Sequence, residues 1–282
     1  MTVASHDNSI LDPIPRPRSV FQRNVNLVRE LSITGFKLKY TGSALGYVWS
    51  LVKPLMLFGI MYLVFSLLLR VGKGDPDFPV QLLIAIVAWT FFTEATSTAM
   101  NAVAGNGDLI RKAYFPRWIL VIASNTSALL TFAINTTLVV VVTFALGHLD
   151  LTLRSLLAPL YYLELIVLVL GLSLLLSSLF VFFRDLGHIW EILSLVLFYG
   201  SAVVFPITLI KSKTLLDLAG LNPVAQIIQD LRYALVQPSA FNQSMETLIG
   251  SLVVIPIALS LAAFVVGFVV FNKLTPRFAE SL

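Results

Sequence analysis

The chain has 282 residues, of which 57% are hydrophobic and 12% charged, against about 25% charged in an ordinary soluble domain. That composition excludes a water-soluble enzyme and calls for a set of bilayer-spanning helices, each about 20 mostly apolar residues long. The net charge of +4 is spread between apolar stretches, which excludes a nucleic-acid partner, and the lack of cysteine excludes disulfides and thiolate metal sites.

Residues 1–18 carry Asp7, Asp12 and three prolines around no apolar centre. They read as a disordered cytoplasmic tail rather than a signal peptide. From 19 to 40, Phe21, Val25, Val28 and Leu31 share one helical face, with Arg23, Asn26, Arg29 and Glu30 at polar positions. That pattern predicts a helix lying in the membrane interface; a plain lipid anchor and a platform for a docked protein fit it equally. Glycines in 41–46 permit a sharp redirection. Tyr47 and Trp49 suit the headgroup zone, where Lys53 can snorkel.

Six spans follow, at about 48–69, 78–100, 118–147, 156–183, 189–210 and 247–271. An even number puts both termini on one side. Thirteen of the 19 Lys and Arg fall on that side, so it is expected to be the cytoplasmic side of the plasma (inner) membrane. The expected fold class is an all-α integral membrane protein: six transmembrane helices, an N-terminal amphipathic interface helix, and two short re-entrant helices between spans five and six.

Between spans two and three, "GNGDLIRKAYFPRWIL" breaks the helix, then offers a short amphipathic piece over 108–114 before Pro116 restarts the chain. Such a piece is too short to be stable alone; a rigid lever held between two spans and a simple basic hairpin both fit. In the long connection 211–246, Val224, Ile227, Ile228, Leu231 and Leu235 recur at helical spacing. Asn222 is placed to cap that helix and Pro223 to open it. We read this segment as an outer gate, with Asn222, Pro223, Gln226, Ile228, Gln229 and Arg232 as its residues. An ordinary surface loop with one amphipathic helix fits the same pattern.

Two carboxylates fall within spans, where by default they suggest function. Glu94 sits toward the cytoplasmic end of span two, facing a wet cavity or capping a neighbouring helix. Glu164 lies near the outer end of span four and is expected at the surface. Aromatic rings suit a sugar path, so Tyr62 and Phe65, Trp89, Phe91 and Phe92, and Phe198 and Tyr199 are path candidates together with Glu94. Packing against helices or lipid explains the same rings. The sequence has no G-x-x-x-x-G-K-[ST] loop, so this chain is not an ATPase. His6, His148 and His188 lack metal-ligand spacing, and no acid–base pair suggests an enzyme.

The entry "RELSITGFKLKYTGSALGYVWSLVKPL" resembles that of the type-2 ABC export permeases, where a basic helix runs into an LGxxWxxxxP motif; Gly46, Trp49 and Pro54 hold it. The resemblance continues through "LIRKAYFPRWILV", "FFRDLGHIWEI" and "NPVAQIIQDLRYAL", in order and across nearly the whole chain. It is nearest to the polysaccharide-exporting branch, which handles O-antigen, teichoic acid or galactan on a lipid carrier. The resemblance implies a permease homodimer with two nucleotide-binding subunits that carry ATP and Mg, no cofactor in this chain, and a pore from spans one, two and five. It also implies that Arg23, Arg29, Asp108, Leu109, Ile110, Arg111, Lys112, Tyr114 and Phe115 couple to the ATPase. The expected function is the permease subunit of an ATP-driven exporter of lipid-linked polysaccharide, in contact with membrane lipids. Alternatives are a type-2 permease for a drug or small lipid, and a proton-coupled secondary transporter using Glu94. The second would show inverted repeats, and none is visible. A membrane scaffold or integral glycosyltransferase is a further class; a transferase needs acidic clusters that are not evident.

Overall fold

The computed structural model describes residues 19–281, except 44, 113, 114, 146 and 148–151. The tail expected to be disordered over 1–18, and Tyr114, lie outside the described residues. Twelve α-helices are seen among those described: α1 Val20–Tyr40, α2 Trp49–Met61, α3 Phe78–Ala104, α4 Gly107–Lys112, α5 Trp118–Ala145, α6 Ala158–Phe180, α7 Leu186–Gly200, α8 Lys213–Gly220, α9 Pro223–Leu235, α10 Met245–Ile249, α11 Val254–Leu274 and α12 Phe278–Ser281.

The bundle is built around α3. Its sequence is apolar on nearly every side over its first half, with Pro79 in its first turn, and turns polar on one side only from Thr90 onward. It packs on α5 and α6 and touches α2, α7 and α9. Thr96 in its interior is fully buried, and its hydroxyl donates to the Phe92 carbonyl at 2.7 Å, so its burial leaves no unpaired donor. Outside this core, α1 lies along α5, and α11 lies along α6.

The α6–α11 contact is made by glycines. A Cβ at Gly267 would meet the Gly171 carbonyl, and one at Gly171 would meet the Phe264 backbone. Close backbone approach through small residues is how helices associate in lipid, where no hydrophobic drive separates helix from solvent.

Among the described residues, five segments are long and apolar enough to cross a membrane: Gly46–Leu68, Phe78–Ala104, Trp118–Ala145, Leu153–Phe180 and Met245–Arg277. The expected fifth span, 189–210, differs. Its helix, α7, is 15 residues long and ends at Gly200, although the apolar run continues. The carbonyls of Ala202 and Val203 are taken by the Arg232 guanidinium at 3.2 and 2.6 Å, which holds the backbone out of the helix. Residues 201–204 are buried, and irregular backbone is stable at membrane depth where protein surrounds it.

The first span is irregular too. Pro54 lies inside α2 and removes the donor that the Ser50 carbonyl would meet. Beyond Met61 the chain winds as a π-helix over Tyr62–Leu68. Such turns recur at functional sites.

Candidate functional site

The entry makes a sharp turn. Ser19 caps α1, accepting from the Gln22 amide. After Tyr40 the chain reverses through Gly42 (φ 80°) and Gly46 (φ 49°), angles that a β-carbon disfavours. Phe36 and Tyr47 then stack at 5.4 Å and fold the entry back on α1. The face read from the sequence is only partly used. Val28 and Leu31 are half-buried, while Phe21 and Val25 are exposed, as are Arg23 and Arg29.

Lys39, in the last turn of α1, forms an ion pair with Glu94 of α3. Glu94 thus links α3 to the last turn of α1 and borders a cleft. Two clefts meet at this pair. One, of about 810 Å³, runs between Trp49, Lys53 and Met56 on one side and Trp89, Thr93 and Thr131 on the other. The second, of about 480 Å³, lies between α1, α3 and α5 and includes Gly35, Asn101 and Ser127. The larger is within the size range of small-molecule sites, and its lining is rich in hydroxyls.

At the same end, α4 presents a single anchor. Ile110 is buried among Val103, Val121, Val181 and Phe278, while Asp108, Leu109, Arg111 and Lys112 are exposed. Phe115 is half-buried against the same cluster. Arg117 donates to the Thr275 carbonyl at 2.9 Å, fastening the turn after α4 to the end of α11. Phe278 of α12 packs on Phe271 and Phe182 at 5.5 and 6.1 Å. Six residues cannot hold a helix alone; α4 is held from beneath.

The aromatic candidates divide. Phe91 stacks on Phe132 of α5 at 4.3 Å, and Phe92 is fully buried beside Trp190 of α7. Trp89 packs on Phe92 and Phe198 at 5.3 and 5.4 Å, and also lines the larger cleft. Tyr62 and Phe65 are half-buried against the core. Tyr199, at 52% exposure, is the one ring of the set that stands out from the chain. Phe91, Phe92 and Phe198 are thus core packing within this chain.

At the opposite end, Asn222 caps α9, accepting from the Val224 amide at 3.0 Å. Eleven residues of α9 are buried, including Gln226, Ile228, Gln229 and Arg232; Pro223 is half-buried. The helix lies on α3, α6 and α11. Its polar face is turned inward. Gln226 donates to Asp230 at 2.8 Å and reaches Glu164 at 3.5 Å, and Asp230 accepts from the Met245 amide at 2.8 Å. Glu164, expected at the surface, is half-buried beneath α9, where it also accepts from Ser260 of α11 at 3.3 Å. The larger cleft's lysines, the buried polar face of α9 and the Arg232 contacts were missed in the sequence. Isolated polar residues in apolar spans, such as Asn125 and Asn135, were the available signal. Asn125, for example, accepts from Ser173 at 3.1 Å between α5 and α6.

The ABC-2 type transporter family model matches residues 26–236. The chain is 27% identical over 246 residues to the O-antigen export system permease protein RfbA of Klebsiella pneumoniae, covering 87% of this chain and 91% of that protein. It is 27% identical over 193 residues to a protein of the same name from Myxococcus xanthus, covering 68% and 73%. It is 22% identical over 229 residues to the polysialic acid transport protein KpsM of Escherichia coli, covering 81% and 88%.

Proposed function

This chain belongs to the ABC-2 type transporter family, and from that premise we propose that it is the permease subunit of an ATP-driven exporter of lipid-linked polysaccharide. Relatives named for O-antigen export and polysialic acid transport, aligned over most of their length, support a polysaccharide cargo. In this reading the chain pairs with a second copy and with two ATPase subunits, which bind the ATP and Mg. Six spans cross the plasma membrane, α7 and the buried segment after it making the fifth, with both termini in the cytoplasm. A drug or small-lipid cargo and proton coupling through Glu94 are not favoured, the latter because Glu94 is already held by Lys39.

The observation that carries this reading is α4: one buried residue, Ile110, and exposed charges beside it, on a helix fixed to the ends of α3, α5 and α11. A short helix held this way transmits a push from a docked subunit instead of bending. Arg23, Arg29 and Leu109 stand exposed for the same contact. At the outer end, α8 exposes Leu215 and Leu218 to lipid, and with α9 it makes a re-entrant pair that closes the exit.

The test is double charge reversal, Arg111→Glu with Lys112→Glu. We expect normal membrane insertion, with loss of most polysaccharide export and of ATPase stimulation by the permease. Wild-type export and stimulation by the double variant would rule out α4 as the coupling element.

A further inference from the structure

Helices α6, α9 and α11 meet at a pair of carboxylates. Glu164 of α6 and Asp230 of α9 both accept from the Gln226 side-chain amide, at 3.5 and 2.8 Å. Ser260 of α11 donates to Glu164 at 3.3 Å, and the Met245 amide of α10 donates to Asp230 at 2.8 Å. Asp230 is buried and Glu164 half-buried.

No cation pairs with either carboxylate among the described residues. On α9, Arg232 is spent on the carbonyls of Gln81, Ala202 and Val203. Tyr233 lies under Arg154, from the turn before α6, at 5.1 Å. On α6, Tyr161 adds a neutral phenol beside the pair, while Tyr162 turns to Phe132 of α5. Glu246 of α10 adds a further negative charge. Asp217 of α8 is paired with Lys213 at 2.8 Å, and Asp75, just before α3, accepts from Gln81 and Ser239. Two carboxylates that share one amide donor and no cation do not both stay charged in a buried junction. Burial pushes the Asp230 carboxyl above its ordinary range. The junction is also short of donors: the side-chain oxygens of Gln226 and Gln229 are buried without one.

We propose that Glu164 and Asp230 hold one proton between them, and that this proton latches α9 to α6. With the proton, one carboxyl is neutral and the Gln226 amide bridges the pair. Without it, two like charges face each other across the α6–α9 contact and drive α9 off. Above about pH 4, the ordinary carboxylate range, released α9 gives up the proton while latched α9 keeps it. Each further pH unit then favours release about tenfold, until the latched pair ionises as well. The latch is tight in acid and loosens as pH rises. It stands on the geometry of the three helices; that its release opens the exit rests on the outer-gate reading of α9.

The test is backbone hydrogen exchange of residues 223–235 in the full chain with its ATPase partner in nanodiscs. It runs from about pH 5 to 8, corrected for the intrinsic exchange rate at each pH. Wild-type protection should fall as pH rises, by up to about tenfold per unit. Glu164→Gln keeps a neutral partner for Gln226 and should stay protected with a flat profile. Asp230→Asn removes the other half of the pair and should flatten the profile too. Three results overturn the proposal: a flat wild-type profile, a slope unchanged in Glu164→Gln, or protection lost at every pH in both variants at wild-type yield, which marks carboxylates that act only as charged acceptors. Export measured alongside separates the latch from the gate. A flattened exchange profile with undiminished export in Glu164→Gln upholds the latch and removes the outer-gate reading; a flattened profile with slowed export upholds both.

Discussion

Arg232 is 2% exposed, and no carboxylate meets it among the described residues. Its guanidinium donates instead to three carbonyls, of Gln81 at 3.1 Å in α3 and of Ala202 and Val203 after α7. The planar fork satisfies three acceptors that face it from two elements, which a lysine's single ammonium does not match. Asn242 adds a second tie, donating to the Arg232, Val236 and Gln237 carbonyls at 3.1–3.2 Å. We expect Arg232→Ala to cost about 3 kcal/mol, since it strips a charged donor from buried acceptors, with Arg232→Lys recovering only part. Thermal unfolding of the detergent-solubilised protein measures this, and an unchanged midpoint in the alanine variant would discard the clamp. The sequence showed Arg232 as a motif residue on an amphipathic helix. It did not show the carbonyls, because they come from segments 151 and about 30 positions away.

Among elements, the long apolar helices were legible and the irregular ones were not. α3 and α5 start at Phe78 and Trp118, where the hydrophobic runs start, because a continuous apolar run of that length has no competing structure in lipid. The helix of the expected fifth span ends at Gly200, short of the apolar run; hydropathy reports burial without saying whether lipid or protein does the burying. Ala202, Val203 and Val204 are apolar for the second reason. The inward polar face of α9 was unreadable for a related reason: Gln226, Gln229 and Asp230 look like a solvent face until Glu164 and the Met245 amide are placed opposite them. The α6–α11 glycine contact gives an element-scale prediction. Gly267→Ala should force the helices apart and cost about 1–3 kcal/mol, as overpacked sites do. Gly59→Ala, with open space around its Cβ, should be neutral or slightly stabilising by helix propensity. Equal melting of the two variants would show that the close approach is not structural.

At the scale of the whole molecule, the two ends of the bundle are built differently. One end gathers the turn at Gly42 and Gly46, the Lys39–Glu94 pair, both clefts and the exposed face of α4. The other is closed by α9, fastened through Arg232 and Asn242. Between them α2, α7 and α11 leave long apolar faces uncovered. An end that offers clefts and an exposed docking face and an end that is latched suit a permease driven from one side. The most direct test of that account is depletion of this chain in a cell that makes the surface polysaccharide, followed by separate assay of the glycan outside and of its lipid-linked form. The account predicts loss of surface glycan with the lipid-linked form retained on the cytoplasmic side. Surface glycan at its normal level, with no lipid-linked form retained, would contradict it.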